Sequence, residues 1–214
     1  MGVRCLPPTV RRYVQTPAAA RRVPGFPPAL FDGTSEAWFD SLQDARALAD
    51  DPGMEPITND MPTFLAGAWS VTLLGAEDRR LVRREPGIGF QAKALILLAR
   101  TPTLSVEEFR EQWAELPDPR HDGLLRYVRC PVDEATGPFG YDGVAEYAFA
   151  DMWALDDAFT GSQLRKHLDA LHSLLDGQRT TAFAGHEIAM GQPASTAGGP
   201  GVCAVHPDAP EADR

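Results

Sequence analysis

Glu146 is the residue whose position most strongly suggests acid–base chemistry. It stands in the middle of a predicted strand, between Ala145 and Tyr147. Burying a carboxylate there without a partner is costly, and burial raises its pKa towards the range that suits proton transfer. The alternative is a structural ion pair with Arg126 on the neighbouring strand, because such pairs also perturb pKa values. The same carboxylate recurs at Glu36, and this recurrence favours the ion pair.

Aromatic and basic side chains supply candidate contacts for a ligand. Tyr127 can present its phenol to an aromatic molecule, although a buried tyrosine is more often a core residue whose hydroxyl is satisfied. Arg100 ends an apolar stretch and either binds an anionic group or pairs with a carboxylate near the turn. Trp113 can pack in a core or contact a substrate. We assign Arg100, Trp113 and Tyr147 to substrate binding.

Motifs of metal, nucleotide and nucleophile sites are lacking in the sequence. His167 and His172 are five residues apart, whereas zinc ligands on one helix face are spaced by about three or four. The stretch PGIG at Pro86 neither follows a strand nor opens a helix, as a nucleotide-binding turn does. GxSxG and paired Cys/His signatures are also missing. We therefore predict no metal site and no cofactor.

Composition restricts the partners and the compartment. The 214 residues carry a formal net charge of −10, which argues against nucleic acid and anionic membranes as partners. The three cysteines are widely spaced and odd in number, so they suggest neither a disulfide framework nor a zinc site. No apolar run approaches the ~20 residues that span a bilayer, and the first residues lack the apolar core of a secretory signal. We predict a cytoplasmic protein.

The elements that would position these residues follow the order βαββαβ over residues 91–190. Residues 94–99 form a continuous apolar run that suits a strand buried on both faces. Ser105 and Glu108 have the spacing of a capping box, and a helix with one apolar face follows them. The later elements are two strands (124–130 and 144–150), two helices (151–159 and 164–175) and a last strand (180–190). This order is the ferredoxin-like arrangement of an α+β fold.

The front of the chain repeats the pattern of the back. Residues 10–16 resemble residues 124–130, residues 31–40 resemble 141–150, and residues 64–77 resemble 174–187. The last two matches share one register, which pairs Glu36 with Glu146, Gly75 with Gly185 and Glu77 with Glu187. Several matches in one register indicate a tandem duplication.

The first copy has no counterpart of the first strand and helix, since Met1 falls opposite about Glu115. That strand is central in a ferredoxin-like sheet, so its loss leaves backbone groups unpaired. Either the true start lies upstream and the chain is truncated, or another segment fills the gap; the unpaired groups favour truncation. We predict an incomplete repeat at 1–77, a charged linker at 78–90, a complete domain at 91–190 and a disordered tail at 191–214.

At LLARTPTLSVEEFREQW, LLRYVRC and DGVAEYAFADMWAL the sequence resembles the EthD family. The resemblance covers residues 93–190 and, more weakly, residues 10–77. It implies a dimeric α/β-barrel of two ferredoxin-like units, formed here by the two copies of one chain or by a homodimer. It also implies oxidoreductase activity, a role in degrading an ether pollutant, or dehydratase and decarboxylase steps on aromatic polyketides. Fold analogy does not decide among these activities.

One position departs from the pattern of the EthD family. Members commonly carry a histidine four residues after the helix tryptophan, whereas here Pro117 takes that place after Trp113. The nearest histidine is His121, which is either a displaced general base or a solvated loop residue.

Two functional hypotheses follow. The first is a cofactorless enzyme, an oxidoreductase or a lyase, in which Glu146, Tyr127 and His121 transfer protons on a small apolar or aromatic compound inside the barrel. The second is a non-catalytic module that binds a small ligand or oligomerises, which the loss of the expected histidine favours. The substrate and the reaction type stay open.

Overall fold

The chain folds into an antiparallel sheet with helices on one of its sides. The computed structural model describes residues 7–29, 31–54, 71–137, 139–189 and 202–208. In chain order the elements are β1 (Arg12–Pro17), β2 (Gly33–Phe39), α1 (Leu42–Ala47), β3 (Thr72–Ala76), β4 (Asp78–Val82), β5 (Ala92–Leu98), α2 (Val106–Glu115), β6 (Leu124–Thr136), β7 (Gly143–Phe149), α3 (Met152–Thr160), α4 (Arg165–His172), β8 (Thr181–His186), β9 (Ile188–Ala189) and β10 (Val202–Asp208). None of the described helices is long and apolar enough to cross a membrane.

The predicted α+β, ferredoxin-like fold is confirmed in the C-terminal unit, which comprises β5 to β8 and their helices. Its strands lie in the order β8-β5-β7-β6, and all neighbours are antiparallel. All seven residues of β5 are buried, as its continuous apolar sequence predicts. The Ser105 hydroxyl accepts from the Glu108 amide and the Glu108 carboxylate accepts from the Ser105 amide. This capping box fixes the start of α2.

The N-terminal unit, formed by β1, β2, β3 and β10, has the same strand order. Its strands lie as β3-β10-β2-β1, so β10 occupies the central position that β5 holds in the C-terminal unit. β10 pairs antiparallel with β2 over Val202–Asp208 and with β3 over Val202 to Val205. Another segment therefore fills the gap, and the argument for truncation from unpaired backbone does not apply. The prediction of a disordered tail is wrong for Val202–Asp208.

Two seams join the units and close the sheet into a barrel. β3 pairs with β6 at one seam, and β9, which continues β8 after Glu187, pairs with β1 at the other. A bridge between Ala18 and Gly185 adds to the second seam. Residues 78–90, predicted as a linker, begin with β4, which pairs with β6. The units thus share one continuous sheet.

A glycine makes the closest approach at each seam. A Cβ atom on Gly75 would overlap the carbonyl oxygen of Pro131, and a Cβ atom on Gly185 would overlap that of Pro17. Two glycines that the sequence repeat aligns therefore make equivalent contacts. A duplication would produce this equivalence, and it stays a hypothesis.

We expect Gly75→Ala and Gly185→Ala each to lower the melting temperature, because a methyl group forces the facing backbone away. Overpacking of this kind costs about 1–3 kcal/mol, and rigid backbone gives way less readily than a side chain. Gly177→Ala is the matched control, since a Cβ atom there meets nothing within 4 Å. Thermal unfolding followed by circular dichroism measures the effect. Seam variants that melt with the Gly177 control would contradict the close contacts.

The sheet separates two cores. On the helix side, α2, α3 and α4 cover β5 to β8 with aromatic and aliphatic side chains. Inside the barrel, an apolar core joins the units, and its members include Leu73, Leu95, Leu97, Val144 and Phe183. Buried charged side chains lie on the same inner side. Candidate functional groups therefore lie on two separate sides of the sheet.

Candidate functional site

The predicted catalytic residues lie on opposite sides of the sheet. Glu146 and Tyr147 are consecutive in β7, so their side chains leave opposite faces. Tyr127 stands opposite Tyr147 in the β6–β7 register, and the two ring centroids are 4.9 Å apart. Both tyrosines belong to the helix-side core. The structure therefore does not bring Glu146 and Tyr127 together.

Glu146 forms the ion pair with Arg126 that the sequence offered as the alternative. Arg126 Nε donates to Glu146 Oε1, and both side chains are buried. Lys93 Nζ lies 3.8 Å from the other carboxylate oxygen of Glu146. A buried carboxylate that contacts two cations is held in place by them. We therefore interpret Glu146 as part of a structural network.

The network is named here the lumen cluster, and its members are Glu36, Lys93, Arg126, Glu146 and Glu187. Lys93 Nζ pairs with Glu36 and lies 3.3 Å from Glu187 Oε1, and Arg126 Nη2 also donates to Glu187. Arg126 Nη1 donates to the Gln91 side chain at 3.0 Å. The cluster thus connects β2 of the N-terminal unit to β5, β6, β7 and the β8–β9 junction of the C-terminal unit.

Burial and the neighbouring charges shift the pKa values of this cluster in opposite directions. Burial raises the pKa of Glu36 to about 7, although Lys93 opposes the shift. Burial also acts to raise the pKa of Glu187, but Lys93, Arg126 and the Gly87 amide outweigh it and lower that pKa. Burial acts to lower the pKa of Lys93, yet the surrounding carboxylates raise it. Lys93 and Glu187 are therefore charged at neutral pH.

The helix side holds a different constellation, named here the aromatic cluster: Trp113, Tyr127, Tyr147 and His167. Tyr147 Oη lies 2.7 Å from His167 Nε2, and His167 Nδ1 lies 2.8 Å from the carbonyl oxygen of Pro117. Because a carbonyl only accepts, we assign the imidazole proton to Nδ1, which leaves Nε2 to accept from Tyr147. Burial lowers the pKa of His167. This histidine is therefore a neutral base at pH 7.

Two polar atoms beside this pair have no hydrogen bond of normal geometry with any described residue: Trp113 Nε1 and Tyr127 Oη. The Tyr127 ring stands edge-on to the His167 ring, with centroids 5.3 Å apart. Burial raises the pKa of Tyr127 to about 12, so it stays a neutral donor. Unpaired buried donors are costly, and groups of this kind are common where a ligand binds.

Arg129 fixes the tryptophan of the aromatic cluster. Its Nη1 donates to the carbonyl oxygens of Trp113 at 2.6 Å and of Ala114 at 3.1 Å, which caps the end of α2. Its guanidinium carbon lies 6.0 Å from the Trp113 ring centroid, and its Nε donates to Asp78 at 2.9 Å. Arg129 of β6 thus fixes the position of the Trp113 indole.

Comparison with known proteins links this architecture to one family. The family model of the EthD domain matches residues 3–68. The match covers less than half of the chain, so it shows a similarity to the EthD domain over these residues. A crystal structure described as that of an anthrone oxidase-like protein is similar, with a TM-score of 0.55 and 12% sequence identity over 88% of this chain and 84% of that chain. At that identity the likeness shows the fold alone, and a search of curated proteins finds no match.

A histidine from another element, His167, contacts the position where the resemblance to the EthD family leads one to expect a histidine. Pro117 stands where the family commonly has histidine, and its carbonyl oxygen binds His167 from α4. In the sequence, His167 stands out only as a possible metal ligand. The position of His167 beside the apolar stripe of α4 indicates a buried imidazole, and a buried imidazole needs a hydrogen-bond partner. In the part of the chain that the structure describes, no group of metal-binding side chains is found.

The other two predicted residues lie elsewhere. His121 Nδ1 accepts from the Gly123 amide at 3.0 Å, and its ring packs edge-on against Phe149 at 5.7 Å. It is mostly buried, so it is not a solvated loop residue. Arg100 lies 3.5 Å from Asp142, which also accepts from the Arg100 amide. Arg100 therefore pairs with a carboxylate near the turn, which was the alternative to anion binding.

Proposed function

We propose that this EthD-type barrel protein is an enzyme that transfers a proton on a small apolar or aromatic compound without a bound cofactor. The site would be the aromatic cluster on the helix side. One observation carries the proposal: the hydrogen-bonded series from Tyr147 through His167 to the Pro117 carbonyl oxygen, with both bonds under 3 Å. A base oriented by a third group is the arrangement that proton transfer requires.

The chemistry follows from the direction of these bonds. The substrate gives its proton to Tyr147 Oη, while Tyr147 gives its own proton to His167 Nε2. The imidazolium that forms keeps its Nδ1–H bond to Pro117. The substrate is left as an anion, toward which Trp113 Nε1 and Tyr127 Oη can donate, because neither atom has a hydrogen bond of normal geometry with a described residue. Such an anion is a common first intermediate of both oxidation and elimination.

Access to the aromatic cluster requires movement, since its four side chains are buried. The helix α4 carries His167 and has no side-chain hydrogen bond at its N-terminal cap. An uncapped helix start opens at lower cost than a capped one. We therefore place the entry route at the α3–α4 turn.

Tyr147→Phe is expected to lower kcat by about 10²–10⁴-fold, the usual contribution of general acid–base catalysis. Turnover would be followed by absorbance and oxygen uptake on a panel of hydroxylated aromatic compounds. An anthrone belongs in the panel because the structural neighbour is described as anthrone oxidase-like. Tyr141→Phe removes the same hydroxyl from a tyrosine that bonds Thr181 inside the barrel. Equal activity of the two variants would refute the proposed site.

A second candidate is a non-catalytic module that binds a small ligand, and the filled barrel lumen favours it. Leu95, Leu97 and Phe183 occupy the inner apolar core together with residues of the N-terminal unit. The same compounds would then quench tryptophan fluorescence at one equivalent and remain unchanged. Sedimentation velocity would test the homodimer, which stays a prediction.

A further inference from the structure

The lumen cluster contains one carboxyl group more than it contains cations. Glu36, Glu146 and Glu187 face Lys93 and Arg126, and all five residues are at most 5% exposed. A buried charge without a partner is expensive, so a cluster of this composition is neutral only when one carboxyl holds a proton. The imbalance follows from counting side chains and needs no knowledge of their titration.

Geometry selects Glu36 as the group that holds the proton. Arg126 binds both Glu146 and Glu187, and Glu187 also accepts from the Gly87 amide at 2.9 Å. Glu36 shares Lys93 with Glu187 and is otherwise approached by the Thr34 hydroxyl at 3.5 Å. It therefore has the weakest compensation of the three carboxyls.

The position of Glu36 connects its protonation to barrel closure. Glu36 lies in β2, opposite Val205 of β10 and Val14 of β1, while its cationic partner lies in β5 of the C-terminal unit. The ionisable groups that act on it are Lys93 from β5, Glu146 from β7 and Glu187 from the β8–β9 junction. An added negative charge here falls at the contact of the two units.

We propose that Glu36 is a pH-sensitive switch between the two units: its protonated form stabilises the closed barrel, and loss of the proton weakens it. This inference is independent of the aromatic cluster, which lies on the other side of the sheet. Burial raises the pKa of Glu36 from 4.5 to about 7. The stabilisation is complete below pH 4.5 and is lost as the pH rises through 7. Over this whole pH range, the loss of the proton raises the unfolding equilibrium constant by up to about 300-fold.

Glu36→Gln tests the switch, because glutamine has the shape of the protonated acid and leaves two carboxylates with two cations. Urea unfolding of the full chain would be measured at pH 5, 6, 7 and 8. We expect the variant to exceed the wild type by only about fourfold in the equilibrium constant at pH 5 and by up to about 300-fold at pH 8. Glu111→Gln, an exposed change in α2, should follow the wild type throughout.

Glu77 requires a separate comparison. Burial also raises the pKa of Glu77 to about 7, against the hydrogen bond from Trp38. If Glu36→Gln keeps part of the pH dependence of stability, the Glu77→Gln variant shows whether Glu77 causes that part. Only the pH dependence that Glu36→Gln removes is attributed to the switch. Parallel pH profiles for the wild type and Glu36→Gln would overturn the proposal.

A spectroscopic titration observes the protonation of the carboxyl groups directly, in the folded protein. Glutamate side chains labelled with ¹³C should show a carboxyl resonance that titrates near pH 7 and is missing in Glu36→Gln. If every carboxyl resonance of the wild type that titrates near pH 7 persists in the variant, Glu36 is not the switch.

Discussion

Arg126→Met is expected to destabilise the protein by about 3–5 kcal/mol at pH 8, because it leaves buried carboxylates without their cation. Arg126 donates to Glu146 and Glu187, and only Lys93 would remain to balance them and Glu36. The methionine fills a similar volume, so the loss measures charge compensation more than packing. Chemical denaturation gives the free energy of unfolding.

The pH dependence and a surface control separate this effect from general damage. The penalty should shrink at pH 5, where the stranded carboxylates can take up protons at lower cost. Arg46→Met breaks an exposed pair with Glu134 and should change little at either pH. A penalty for Arg126→Met that is equal at both pH values would contradict the charge explanation.

Ala204→Pro is expected to disrupt the N-terminal unit and to leave the C-terminal unit folded. Ala204 lies in β10 opposite Ala37 of β2 and Leu74 of β3. Proline has no amide proton and cannot be accommodated in a central strand, so the loss should reach about 3 kcal/mol or more. Hydrogen exchange should show lost protection in β2 and β3 and retained protection in β5 and β7.

Ala204→Gly is the matched control for this change. Glycine keeps the amide proton and weakens a strand interior by only about 0.5–1 kcal/mol. Unchanged protection of the β2 amides in Ala204→Pro would show that β10 is not the central strand of the N-terminal unit.

The C-terminal unit could be predicted because its signals are local. Residues 94–99 are apolar without interruption, and the Ser105–Glu108 capping box follows a few positions later. Each signal constrains a backbone segment without reference to distant parts of the chain. The same holds for Asp151, whose side chain accepts from the Ala154 amide at the start of α3.

The central strand of the N-terminal unit could not be predicted for the opposite reason. The stretch VCAVHPD lies in a segment rich in glycine, proline and alanine, and its composition alone indicates disorder. It is a strand because β2 and β3 present unpaired backbone groups on both sides of it. That cause lies in distant residues, and no local pattern expresses it.

In the candidate site, too, one contact could be predicted from the sequence and another could not. The pair of Glu146 with Arg126 was foreseeable, because strand alternation places the two residues on one face. The contact between His167 and the Pro117 carbonyl depends on how α4 packs against the end of α2. A tertiary contact of this kind is not marked by any characteristic spacing of residues in the sequence.

The place of β10 in the sequence, at Val202–Asp208, also determines the order in which the protein can assemble during synthesis. The strands of the C-terminal unit pair within residues 92–186, so that sheet can form as soon as this stretch leaves the ribosome. β2 must wait for β10, from which most of the chain separates it, and pairing over such separations is slow. In the interval, two strand edges are open to other chains. Aggregation of nascent or partly folded protein should therefore begin at β2 and β3.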